Sequence, residues 1–422
     1  MNHSNEKEST SLGLFGRLYG QSPSKEDLRA AAQLAIQVEM TTIPAYLTGM
    51  YSIAEPNSPA YQTLRDVVME EMLHVTQAAN LLVAIGGLPV FSGDAAPQYP
   101  GYLPHANPKT TPVVGLLRAT PEVFEEVFVA IETPAPVGAK PQADQYDTIA
   151  QLYDALEKGL EQYALLHPDD SLFEPNPLGR QREDIYIGKF GGDPVLVTDM
   201  ESAKKGIQQI KQQGEGSQSL GQPLNPINTW ATYDHYGKRT DCTYGPIIGT
   251  PLEMSHFIKF RQVAVEPEKF PSTYPMTSNP RREDFKNPTA SALADLFDQA
   301  YSLMLDTLQL SFRKPLQEGA SGNVFFSTAL PLMHQTMPIL ARMLMNTPIN
   351  CTGNSQTGPN GAPTFLYQSG ASLAQLRSGI EQLIASGDLS QEDKLKLQNC
   401  IDFIADGIAA HVCPGAAQGH HS

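Results

Sequence analysis

Apolar side chains at Leu28, Ala32, Ala35, Ile43, Tyr46 and Met50 recur every three or four residues, the period of a helix with one buried face. A Ser24-x-x-Asp27 pattern precedes them and reads as a capping box, so a helix is predicted over residues 24–53. Pro44 should bend it, because proline has no N–H and crowds the preceding turn. A second stripe of Leu64, Val67, Ala78, Leu81 and Ile85 follows Ser58 as cap and Pro59 at the first helical position. It ends at Gly86-Gly87 before Pro89. The short connection makes the two helices antiparallel neighbours.

Three residues break the apolar character of these seams: Glu39 on the first, and Glu71 and His74, one turn apart, on the second. An ionised carboxylate in an apolar seam costs several kcal/mol unless a partner compensates it. A cation held by Glu39, Glu71 and His74 would be such a partner, and a Glu-x-x-His turn facing a Glu from the adjacent helix is half of a dinuclear four-helix-bundle site. A lone Glu-x-x-His turn is common as a solvated pair, so a second one matters. The chain has it at Glu253-Met-Ser-His256, with Phe260 continuing the same face. The competing role for Glu253 is a capping box with Thr250, with Pro251 opening the helix.

The remaining carboxylate has three candidates. A helix predicted over residues 198–213, with Ala203, Ile207 and Ile210 on one side, leads to Glu215, which stands 38 positions before Glu253, against 32 between Glu39 and Glu71. Glu132 and Glu157, each at the edge of an apolar helix face, are its rivals. The expected ligand set is therefore Glu39, Glu71, His74, Glu215, Glu253 and His256. Glu70 points off the seam and reads as solvated or as support for a ligand. Tyr46 and Tyr153 either border the site or are core tyrosines with satisfied hydroxyls.

Further amphipathic stretches at residues 290–319, 325–346, 372–386 and 390–411 predict a C-terminal helical region. Met304, Met333, Met337, Met343 and Met345 recur there at helical spacing, as an adaptable core does more often than a copper or haem box. His334 reads as a surface or core histidine before a ligand. The prolines and glycines gather between helices, as in PQYPGYLPHANPKTTP, which predicts long loops. The expected organisation is a flexible segment over residues 1–23, a metal-binding bundle with insertions over 24–265, and a helical region over 266–422 packed on it.

Composition narrows the partners. With 29 basic against 45 acidic side chains the net charge is −16, which disfavours nucleic acid and anionic membranes. No long apolar run or secretory leader is evident in the sequence, so a cytoplasmic protein is expected. The 4 cysteines, Cys242, Cys351, Cys400 and Cys413, form no C-x-x-C pair and indicate no zinc knuckle or disulfide framework. Four carboxylates and two imidazoles suit two iron ions, with manganese the alternative; zinc takes fewer ligands and calcium avoids imidazole.

The stretches AIQVEMTTIPAYLTGMYSI, VVMEEMLHVTQAANLLVAIGGLP, QQGEG and EMSHFIKF, in this order, resemble the ferritin-like family of iminophenyl-pyruvate dimer synthase, which includes a region shared with violacein and rebeccamycin pathway enzymes. Asp298-Gln-Ala-Tyr-Ser and the Thr357-Gly-Pro region extend the likeness, so that it covers residues 25 to about 365. Where members carry a Gly-Glu pair before the tyrosine of the intervening helix, this chain has Ala150-Gln151. The resemblance implies an all-α, ferritin-like four-helix bundle with long loop insertions and an added C-terminal region. It also implies oxidative chemistry on amino-acid-derived imines, with metal roles for the matching Glu39, Glu71, His74, Glu215, Glu253 and His256. The expected function is a non-haem di-iron oxidase or oxygenase using dioxygen on a small molecule, and a homodimer is compatible with it. The alternatives are a ferroxidase or iron-binding module and a metal-stabilised scaffold without catalysis.

Overall fold

The computed structural model describes residues 13–20, 23–134, 144–185, 192–216, 254–314, 324–386 and 389–412. The described residues contain helices and isolated bridges but no β-strand. Two long antiparallel helices, α2 (Lys25–Ser52) and α3 (Pro59–Ala84), pack along one another and form the centre of the molecule. The Ser24–Asp27 capping box opens α2, and Ser58 with Pro59 opens α3, as the sequence predicts. Pro44 lies inside α2, which continues through it. At the end of α3, Gly86 adopts φ +86°, and the Gly86 and Gly87 N–H groups donate to Val83 and Leu82 at 3.1 and 2.8 Å. This Schellman termination satisfies carbonyls that the last turn would leave open.

Helix α1 (Leu14–Leu18) lies in the segment expected to be flexible. It is ordered because Leu14, Phe15 and Leu18 are buried against α2. A helical segment α4 runs through Pro121–Val123, a π turn at Phe124–Phe128, and Val129–Ile131. Helices α5 (Ile149–Leu166) and α6 (Met200–Gln213) complete the bundle: α5 packs on α2, and α6 packs on both α3 and α5. The short α7 (His256–Ala264) sits against α4 and α3.

The C-terminal region consists of α8 (Pro288–Ser311), a segment α9 running through π turns at Phe325–Ala329 and Leu332–Thr336 into Met337–Met345, then α10 (Leu373–Ala385) and α11 (Gln391–Val412). Helix α9 packs on α8, and its last part touches α2, which joins this region to the bundle through a common core. Cys351 is exposed and Cys400 buried, both as free thiols.

Candidate metal centre

Helices α2 and α3 present Glu39, Glu71 and His74 to the same interior point. All three are buried, with at most 1% of their surface exposed. His74 Nδ1 lies 3.6 Å from both Glu39 Oε2 and Glu71 Oε2. Glu71 also faces a second imidazole: His256 Nδ1 lies 2.9 Å from Glu71 Oε1 and 3.6 Å from Glu132 Oε1. Two three-residue groups therefore converge, Glu39–Glu71–His74 and Glu71–Glu132–His256, each able to offer its ligand atoms to one metal ion. Glu71 is common to both. The two imidazole rings stack with centroids 5.3 Å apart.

Each imidazole is oriented from behind. His74 Nε2 meets Gln213 Oε1 at 3.1 Å, at the end of α6. His256 Nε2 meets Glu70 Oε2 at 2.9 Å, and Lys259 donates to both Glu70 oxygens at 2.7 and 2.6 Å. An acceptor at Nε2 places the proton there and leaves Nδ1 as the lone-pair atom turned toward the carboxylates, the arrangement a metal-binding histidine requires. Glu70, one of the alternatives for which was a solvated role, is fully buried because it performs this task.

Two tyrosines hold the outer carboxylates. Tyr153 donates to Glu39 Oε1 at 2.7 Å and Tyr46 to Glu132 Oε1 at 2.6 Å. Burial, followed by the charges of Glu39 and Glu132 respectively, raises both phenols well above their ordinary range, so they act as donors. Phe260 and Phe128 pack edge-on or tilted around Tyr46 and exclude water on that side.

The electrostatics are those of a crowded anionic pocket. Burial and then the charge of Glu71 push Glu39 up to about 7. Burial acts the same way on Glu71, but the imidazoles of His256 and His74 outweigh it and hold its carboxyl below the ordinary range. Burial disfavours the charged form of His74, yet Glu39 and Glu71 raise it to about 10. Without a metal, protons at the Nδ1 positions thus offset the carboxylates, and an ion bound there would take the place of those protons. Even so, Glu71 Oε2 has no hydrogen-bond partner among the described residues, and His256 Nδ1, though 2.9 Å from Glu71 Oε1, makes no well-aligned hydrogen bond with it. Orphaned ligand atoms of this kind at the meeting point of both groups are what a pair of cations would satisfy, so the residues fit a dinuclear centre.

The carboxylate beside His256 is Glu132, one of the three candidates left open by the sequence. It caps the end of α4, and α4 packs on α7, which begins at His256. Glu215 is buried nearby and lines the same small cavity as Glu39, Glu71 and Glu132, but it stands in neither three-residue group. Its Oε1 instead accepts the Ala150 N–H at 2.8 Å, in the first turn of α5, where unpaired amides and the helix dipole favour a carboxylate. Glu157 is half-buried on α5, within the field of Lys211 and Lys204. Glu253 and its possible cap at Thr250 and Pro251 lie outside the described residues; the helix itself starts at His256, with Ser255 as its extended N-cap. Gln151, which lies off the apolar face in the sequence pattern, is buried because its Oε1 accepts the Asp147 N–H at 2.8 Å. Gln213 carried no sequence signal beyond its place in the QQGEG stretch.

The cavity against the centre, walled by Glu39, Glu71, His74, Glu132, Tyr153 and Glu215 among others, has a volume of about 10 Å³. That is room for one water-sized molecule. No helix among the described residues is long and apolar enough to cross a membrane.

Comparison with known proteins agrees with this architecture. A ferritin-like protein from Caulobacter vibrioides shares the fold with a TM-score of 0.50 at 23% identity, over 81% of this chain and 97% of that one. No curated protein matches the chain significantly. The family model described as Ferritin-like matches residues 32–264, more than half of the sequence and the part that holds every residue of the two groups. By its sequence and its bundle alike, the chain belongs to the ferritin-like family.

Proposed function

We propose that the chain is a non-haem di-iron oxidase or oxygenase that uses dioxygen to modify a small, amino-acid-derived molecule in a biosynthetic pathway. The observation that carries this reading is Glu71, placed between two histidines and shared by two carboxylate–imidazole groups. A shared carboxylate flanked by one Glu and one His on either side is the ligand distribution of a bridged dinuclear site. Glu39, Glu71 and His74 would hold one ion, and Glu71, Glu132 and His256 the other. Iron bound there would supply redox electrons for dioxygen, which the side chains alone do not.

The protein's own groups set the conditions for that chemistry. Gln213 and Glu70 fix the two imidazoles in the Nδ1-ligating orientation. Tyr153 holds Glu39 through Oε1 and leaves Oε2 facing His74, while Tyr46 holds Glu132 through Oε1, the oxygen that also faces His256. The aromatic packing around Tyr46 keeps that side dry. The likeness to the iminophenyl-pyruvate dimer synthase family supports an amino-acid-derived imine as the substrate class.

One observation favours a second reading, a ferroxidase. The cavity at the centre is water-sized, which suits ferrous ion and dioxygen better than an organic molecule. Oxygen uptake by iron-loaded protein separates the two. The oxygenase reading predicts uptake that depends on an added α-imino acid and continues over many turnovers. Uptake that stops after stoichiometric ferrous oxidation and ignores the imine would favour the ferroxidase.

A further inference from the structure

A second, far larger cavity of about 720 Å³ lies between α2, α3, α8 and α9, within the range of about 300–1,000 Å³ usual for small-molecule sites. It occupies the opposite face of the α2–α3 pair from the carboxylates. Met40 and Leu47 of α2 and Met72 and Thr76 of α3 line it, and no residue is common to its wall and to that of the small cavity at the centre. Seven methionines contribute to the wall, and their flexible, polarisable side chains adapt to ligands of varied shape. Pro56 and Asn57 are exposed at its rim, so the cavity reaches the surface at the α2–α3 connection.

Its charge runs against that of the chain. In a protein with 45 acidic and 29 basic side chains, none of the described residues lining this cavity is Asp or Glu, while Arg65 and His334 are among them. One residue of the wall also carries a polar atom without a hydrogen-bond partner among the described residues. Gln62, 6% exposed, donates through Nε2 to the Pro56 carbonyl at 2.6 Å, and its buried Oε1 has no partner. Arg65 follows three residues later on the same helix face.

We propose that this cavity is a second ligand site, for an amphiphilic acid whose apolar part fills the methionine-lined interior and whose head carries a carboxylate and a neighbouring hydroxyl. The carboxylate meets the positive charge of Arg65, and the hydroxyl donates to Gln62 Oε1. The site is independent of the metal centre and of the reaction proposed for it.

Calorimetric titration of the full-length protein with 3-hydroxydecanoic acid, decanoic acid and 1-decanol tests this. The expected order is hydroxy acid tightest, then the plain acid, then the alcohol, each at one molecule per chain. Arg65→Gln should weaken both acids by about tenfold, the scale of one charge-assisted contact, and leave decanol unchanged. Gln62→Leu should erase the advantage of the hydroxy acid, and Met72→Trp should block all three. Thermal melts of each variant report whether it is folded, and the half-buried Arg65 keeps one variant outside the core. Absence of binding, several molecules per chain, or acid affinity unchanged by Arg65→Gln would overturn the proposal.

Discussion

His256 shows how the centre is assembled side chain by side chain. Its Nε2 is held by Glu70, which Lys259 neutralises in turn, and its Nδ1 is left to face Glu71 and Glu132. Removing such a supporting carboxylate leaves the ligand itself in place but lets the ring turn. Glu70→Ala should therefore lower metal affinity by about 10–100-fold, measured by competition with a chromophoric chelator, while far-ultraviolet circular dichroism stays unchanged. The two groups also make separable predictions. Glu132→Ala should leave one ion bound at Glu39, Glu71 and His74, whereas Glu215→Ala should leave two and lower the melting temperature through loss of the Ala150 contact. Metal analysis of the two variants side by side checks this. Glu39, Glu71 and His74 were legible in the sequence because each interrupts an apolar seam with a charge that burial penalises. The position of Glu132 beside His256 was not, since it depends on α4 meeting α7 across 123 intervening positions. The sequence left Glu70 between a solvated and a supporting role for a related reason: its partners, His256 and Lys259, come from a distant helix.

Helices follow the sequence closely because their signals are local. The Ser24 box, the Ser58-Pro59 start and the Gly86-Gly87 stop each act within one turn, and each is seen in the structure. Helix α1 escaped notice since five residues carry too little periodicity; burial of Phe15 and Leu18 against neighbours fixes it. The stop of α3 has energetic content. Gly86 at φ +86° is in the left-handed region, where a Cβ is strained. Gly86→Ala should cost about 1–2 kcal/mol, seen as a lower urea midpoint with an unchanged slope. An unchanged midpoint would show that the Schellman turn is not under this constraint.

For the molecule as a whole, the C-terminal region is tied to the bundle by shared packing, and within it Asp298 is a buried junction. Thr364 Oγ1 donates to both of its oxygens at 2.7 and 2.6 Å, and the Leu366 N–H donates at 3.1 Å. Burial pushes its carboxyl up to about 7, against the lowering effect of those hydrogen bonds. The folded state thus binds this proton more tightly than the unfolded chain, whose value is 3.8. Its contribution to stability is complete at low pH and is lost as pH rises through about 7, to the extent of a few kcal/mol. Asp298→Asn should accordingly flatten the fall in melting temperature between about pH 4 and 7; an equal slope in both proteins would refute this. The large cavity beside this region had no signature in the sequence. Periodicity marks its methionines as core, and only the placement of α8 and α9 against the back of α2 and α3 opens the space.

In the proposed centre one carboxylate, Glu71, serves two ions. Anaerobic loading with ferrous iron, removal of excess, and iron analysis of the wild-type chain and of Glu71→Ala test it most directly. The wild type should retain two irons per chain, and Glu71→Ala should lose both groups' tight binding with its helical content intact. One iron or none in the folded wild type, or two irons retained without Glu71, would contradict a bridged centre.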